Sequence, residues 1–157
     1  TLFDLGLSSA ELEDFAAQLG SDCAFFIEGG LQLAKGRGEL LSKIEPLGRT
    51  VHLVLCNPQI HVSTATAYAG VQPKNSRTAL LETFKTDGVN GLQNDFEASV
   101  FESFPAIQDL KNKLYAAGAT YAAMSGSGSS VFGIFDAAPV LSADLSSQII
   151  YSGPWCY

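Results

Sequence analysis

The strongest constraint on this chain is a six-residue run of small residues, Ser125-Gly-Ser-Gly-Ser-Ser130. It lies between two apolar segments, Tyr121-Ala-Ala-Met124 and Val131-Phe-Gly-Ile-Phe135. Short apolar runs bounded by turn residues read as buried strands, so a strand enters the loop and a second one leaves it. Gly126 and Gly128 let the backbone reach φ > 0 and let another molecule approach closely. The serines add hydroxyl groups, and consecutive backbone N–H groups can form an anion-binding nest. A hairpin turn is the plainer reading, yet six small polar residues exceed the two that a tight hairpin needs. The run is not a P-loop, because no lysine follows it. It is not a dinucleotide fingerprint either, because Val131 stands where a third glycine is required.

The rest of the composition narrows the partners. A chain of 157 residues, 46% hydrophobic, makes one compact domain or the pieces of two. The net charge is −7 and no block of Lys or Arg occurs, which argues against nucleic acid or an anionic membrane and leaves small molecules. Cys23, Cys56 and Cys156 are odd in number and far apart; they read as reduced thiols in a cytoplasmic protein. His52 and His61 lack ligand spacing, so no metal site of the chain's own is expected. No run approaches the length of a transmembrane helix, and no signal peptide is expected.

Along the chain, Ser8 and Glu11 form a capping box ahead of an apolar face of Leu12, Phe15, Ala16 and Leu19, closed by Gly20. Ser21 is placed to cap a second helix with Asp22 in its first turn. Residues 31–35 alternate like a strand, 36–39 read as a turn, and 51–56 read as a buried strand. Ser63 caps a short helix to Tyr68, Ser76 caps another, and 94–104 form a helix broken by Pro105. Pro105 suits the first position of a helix whose face is Ile107, Leu110 and Leu114. Residues 149–151 are a candidate last strand. The order predicts an α+β fold, a small antiparallel sheet with helices on one face.

Three places can carry chemistry. Asp22 stands beside the apolar run Cys23-Ala-Phe-Phe-Ile27 and at an expected helix N-terminus, which favours its charged form. Such a carboxylate can accept a proton from a hydroxyl, or it can simply cap its helix. Thr64 and Tyr68 share a helical face at i, i+4, which suits a planar heterocycle or an ordinary helix–sheet contact. Asn94-Asp95 reads first as a cap.

Five segments occur in order: Leu19-Gly-Ser-Asp-Cys-Ala-Phe-Phe26, Ala34-Lys-Gly-Arg-Gly-Glu39, Asn57-Pro-Gln-Ile-His-Val-Ser-Thr64 with Tyr68, Asn94-Asp-Phe-Glu97, and Met124 to Phe135. Together they resemble the later part of the 4-diphosphocytidyl-2-C-methyl-D-erythritol kinase family, within the GHMP kinases. The resemblance covers Thr1 to about Phe135. It implies a remnant of an N-terminal ATP-binding domain over residues 1–48 and a ferredoxin-like C-terminal domain over 49–157. It implies transfer of the γ-phosphoryl group of ATP, with Mg2+, to the 2-hydroxyl of the cytidyl substrate in the non-mevalonate isoprenoid pathway. Asp22 matches the proposed base. Thr64 and Tyr68 match contacts to the cytidine end, the ring stacking on cytosine. Ser125, Gly126, Ser127 and Gly128 match the loop that supports the phosphate region, and Asn94 and Asp95 the helix start beneath it. Ala24 departs from the proline usual in the family.

The family's N-terminal lysine and its glycine/serine-rich ATP loop have no counterpart in these 157 residues. The resemblance therefore implies a fragment, inactive by itself, with apolar surface near residues 1–30 prone to association. Another GHMP kinase, such as homoserine or mevalonate kinase, is a competing reading. A non-catalytic small-molecule-binding or regulatory ferredoxin-like domain is another, since fold does not fix function.

Overall fold

The computed structural model describes residues 6–20, 22–38, 40–71 and 80–157. Its backbone contacts divide the chain into two units, Thr1–Arg49 with Tyr157, and Thr50–Cys156.

The first unit holds α1 (Ser9–Leu19), α2 (Phe25–Glu28) and the antiparallel pair β1 (Gln32–Lys35) and β2 (Leu40–Lys43). The expected capping box is present: the Ser8 hydroxyl accepts from the Glu11 N–H, and the Glu11 carboxylate accepts from the Ser8 N–H at 2.9 Å. Those bonds lower the Glu11 pKa. Of the predicted apolar face of α1, only Ala16 is buried; Phe15 is 57% and Leu19 85% exposed. Within this unit the helix beside α1 is α2, and a single four-residue turn cannot cover three turns.

The second unit comprises β3 (Thr50–Cys56), α3 (Thr64–Ala69), α4 (Leu80–Asp87), a 3-10 turn (Gly88–Gly91), α5 (Glu97–Ser103), α6 (Pro105–Ala116), β4 (Tyr121–Met124), β5 (Val131–Phe135), α7 (Ala143–Ser146) and β6 (Ile149–Cys156). The four strands are antiparallel in the order β4-β5-β3-β6. Counting strands within the unit, that is order 2-3-1-4 on a strand-helix-strand-strand-helix-strand chain, the split βαβ arrangement of ferredoxin-like folds. The α+β expectation is met. The last strand is longer than the sequence suggests, running eight residues along β3. The cap expected at Ser76 lies outside the described residues; the helix after it is described from Leu80.

Packing follows from periodicity. Ile107, Leu110 and Leu114 fall on one face of α6 at 0%, 2% and 0% exposure, against Val54, Cys56, Met124, Val131 and Phe135 of the sheet. The close approach of α6 requires a residue without a side chain on β5. A Cβ on Gly133 would sit 3.4 Å from the Leu114 and Ala119 Cβ atoms and 3.0 Å from the Phe135 ring. Among the described residues no helix is long and apolar enough to cross a membrane.

Replacing Gly133 by Leu should therefore overpack the α6–sheet layer. We expect a loss of roughly 1–3 kcal/mol, read as a lower urea midpoint with an unchanged slope.

Candidate substrate and phosphate-loop site

The Ser125–Ser130 loop joins the edge strand β4 to β5. The Ser125 N–H donates to the Ser130 carbonyl at 2.8 Å and the Gly128 N–H to the Ser125 carbonyl at 3.0 Å. Gly128 has φ +93°, a conformation L side chains rarely adopt, and a Cβ there would lie 2.8 Å from the Met124 sulfur. Ser125 and Gly126 are exposed, Ser127 and Gly128 half-buried, and Ser129 buried. The loop thus offers its first half to a visitor and anchors its second half in the core.

Among the described residues no strand pairs with the outer edge of β4, and side chains satisfy it instead. Asn94 Nδ2 donates to the Met124 carbonyl at 2.7 Å and to the Gly126 carbonyl at 2.8 Å. Glu97 Oε1 accepts the Met124 N–H at 2.8 Å. The Tyr115 hydroxyl donates to the Ala122 carbonyl at 3.2 Å. The helix expected from residue 94 starts only at Glu97, with Phe96 as its cap and no side-chain cap bond; Asn94 instead shapes the turn ahead of it, its Oδ1 accepting the Phe96 N–H at 3.0 Å. One amide therefore shapes the approach to α5 and grips the loop. Charged acceptors make the stronger bonds of this kind, about 1.5–3 kcal/mol each.

Glu97 is fixed from its other side by Lys111 on α6, whose Nζ lies 2.6 Å from Oε2. Tyr121 faces the same region: its hydroxyl donates to the Leu92 carbonyl at 3.2 Å, and its ring tilts against Phe132. Burial, then the nearby Glu97 charge, pushes its phenol up to about 12. Beside β4 these groups line a polar cavity of about 320 Å³, with Asn90, Gln93 and Thr120 among its walls.

On the near side stands α3. Ser63 caps it, accepting from the Thr66 N–H, and Gly70 closes it. A Cβ on Gly70 would fall 2.5 Å from the Ser99 Cβ, so the end of α3 lies directly on α5. Thr64 Oγ1 comes within 3.4 Å of Ser127 Oγ; that is long for paired hydroxyls and marks proximity more than a strong bond. One turn later Tyr68 is 64% exposed, its ring edge-on to Phe96 with centroids 4.8 Å apart. Such a pair contributes about 0.5–1.5 kcal/mol and fixes the ring plane. Thr64, Tyr68, Asn94 and the loop thus gather in one place. Glu97 falls within a segment the sequence singles out, with no role given to it there. Lys111 carries no sequence signal, being 14 residues away on another helix.

Asp22 belongs to the first unit and differs from expectation. It is exposed and lies in the turn over residues 22–24, while α2 starts at Phe25 with Ala24 as its cap. Asp22 therefore lies outside the first turn of α2. Its surroundings are wet because the apolar run after it forms only one helical turn, which leaves Phe26 exposed as well. Among the described residues no three His, Cys, Asp or Glu side chains gather as a metal cage.

Residues 77–148 match the family model described as GHMP kinases C terminal. The chain is 44% identical over 158 residues to 4-diphosphocytidyl-2-C-methyl-D-erythritol kinase of Cytophaga hutchinsonii, covering 94% of this chain and 56% of that protein. It is 44% identical over 136 residues to the protein of the same name from Bacteroides fragilis, covering 85% and 50%. The chain thus spans about half the length of the curated relatives it matches. Its fold matches a crystal structure of 4-(cytidine 5'-diphospho)-2C-methyl-D-erythritol kinase with a TM-score of 0.73 at 25% identity, covering 98% of this chain and 59% of that one. It also matches homoserine kinase from Cytophaga hutchinsonii with a TM-score of 0.65 at 18% identity, covering 99% and 59%, a likeness of fold alone.

The Tyr121 phenol sets a pH window. Its folded pKa of about 12 lies above the ordinary 10, so the unfolded chain releases the proton first as pH rises. The stabilisation is complete below pH 10 and is lost between pH 10 and about 12. Tyr121→Phe should flatten the fall in denaturation midpoint over that interval.

Proposed function

We propose, from the premise that this chain carries the C-terminal domain of the GHMP kinases, that it is part of an ATP-dependent kinase. The acceptor is the 2-hydroxyl of 4-diphosphocytidyl-2-C-methyl-D-erythritol, and the product serves isoprenoid synthesis by the non-mevalonate route. The observation that carries this reading is the exposed Tyr68 ring, edge-packed on Phe96, one helical turn from Thr64 and the glycine/serine loop. An exposed ring of fixed plane beside a loop of small residues suits a pyrimidine carrying phosphates. The 44% identity to proteins named for this substrate supports it.

In this reading Tyr68 stacks on cytosine and Thr64 hydrogen-bonds the cytidine end. Stacking of a base on an aromatic ring contributes about 1–3 kcal/mol. Ser125, Gly126, Ser127 and Gly128 line the phosphate region and support the nucleotide-binding loop. Asp22 accepts the proton of the attacking hydroxyl. Its exposure suits a group that meets solvent until substrate arrives, and a positioned base contributes about 10²–10⁴-fold. Phosphoryl transfer depends mostly on positioning and on stabilising charge on the transferring group. The described residues supply neither a metal cage nor a P-loop lysine. In this reading the ATP phosphates and Mg2+ are held by the part of the kinase relatives that this chain does not span, and the chain alone is expected to be inactive.

Homoserine kinase shares the fold, but its substrate gives a stacking ring no purpose. In the full-length kinase, Tyr68→Ala should raise KM for the cytidyl substrate about tenfold or more, with Tyr68→Phe close to wild type. A KM unmoved by Tyr68→Ala, or turnover of homoserine instead, would overturn the substrate assignment. Asp22→Asn should lower kcat by about 10²–10⁴ with little change in KM. A small effect there would favour a non-catalytic binding or regulatory domain.

A further inference from the structure

We propose that Lys111 is a positioning residue for the glycine/serine loop, acting through the Glu97 carboxylate. Glu97 holds the peptide just ahead of the loop with one oxygen, at the Met124 N–H, and Lys111 with the other. A carboxylate held by a single bond swings about its last torsion; one held at both oxygens keeps its plane. The pair is largely shielded, with side chains 21% and 16% exposed for Lys111 and Glu97, so water competes weakly for either group. Lys111 is itself steadied by the Phe101 ring, 5.7 Å from Nζ to centroid. A line of contacts therefore runs from α5 and α6 through Lys111 and Glu97 to Met124. Asn94 continues it to the Gly126 carbonyl.

The charge is needed as well as the stem. Without the ammonium, Glu97 keeps a mostly buried charge with one partner fewer, and the favourable response is to turn toward water. That turn releases Met124 and loosens the first half of the loop, the half left exposed. The bearing of this device on phosphate chemistry rests on the kinase reading above; the device itself does not.

The test is amide hydrogen exchange on the 157-residue chain, which involves no substrate and so is decided separately from the kinase reading. Lys111→Met should speed exchange at Met124 about tenfold or more, with residues 51–56 of β3 unchanged. Lys111→Arg should stay near wild type. The double variant Lys111→Met with Glu97→Gln removes both charges, while the amide oxygen it introduces can still accept from the Met124 N–H. It should return Met124 exchange most of the way, and it serves if the single variant does not fold. Unchanged exchange at Met124 in Lys111→Met would overturn the proposal. So would equal acceleration at Met124 and across β3, which marks a general loss of stability. A double variant that folds and exchanges as fast as Lys111→Met, or faster than wild type when the single cannot be made, would also overturn it.

Discussion

The outer edge of β4 presents N–H and C=O groups that no strand among the described residues pairs, and the second unit is arranged around satisfying them. An unpaired edge strand is a template for association. Here Tyr115, Glu97 and Asn94 occupy it in sequence, at Ala122, Met124 and Gly126. Those three side chains come from α6, from the first turn of α5 and from the residues just ahead of it. Binding the edge therefore also fixes where both helices begin and end relative to the sheet.

Consequences spread outward from that edge. With α5 held against β4, the end of α3 can rest on Ser99, through the absence of a side chain at Gly70. Phe96 is then in place to set the plane of the Tyr68 ring. The hairpin loop is exposed on its first half, where Asn94 grips the Gly126 carbonyl and the Met124 carbonyl just ahead of it. The polar groups along this edge also line a cavity beside β4, and burial there, with the Glu97 charge nearby, raises the Tyr121 phenol. The Tyr68 ring, the glycine/serine loop and the protected edge of β4 are thus one connected structure in this unit, joined by Phe96, Asn94 and Glu97.

Much of the fold was legible in the chain. The face of α6 follows from apolar residues at 107, 110 and 114, and the hairpin from a glycine-rich run between two apolar segments, because both patterns are local and periodic. The caps at Ser8 and Ser63 were readable for the same reason. Other expectations failed where covering elements decide exposure. The apolar face of α1 is mostly exposed, and Asp22 stands in a wet turn ahead of α2, because the helix beside it is a single turn. A sequence records which residues are apolar, not how much surface their neighbours can cover.

By itself the sequence determined the strand–loop–strand unit, the sharing of one helical face by Thr64 and Tyr68, and the family resemblance, since motifs and short periodicities lie within a few residues of one another. Tertiary structure alone decided that Asn94 would grip a loop 32 residues away and that Lys111 would meet Glu97. It also decided that Phe96 would hold Tyr68 edge-on. These are contacts between elements distant in the chain. Sheet order and the close packing of helices fix them, and no local pattern encodes either.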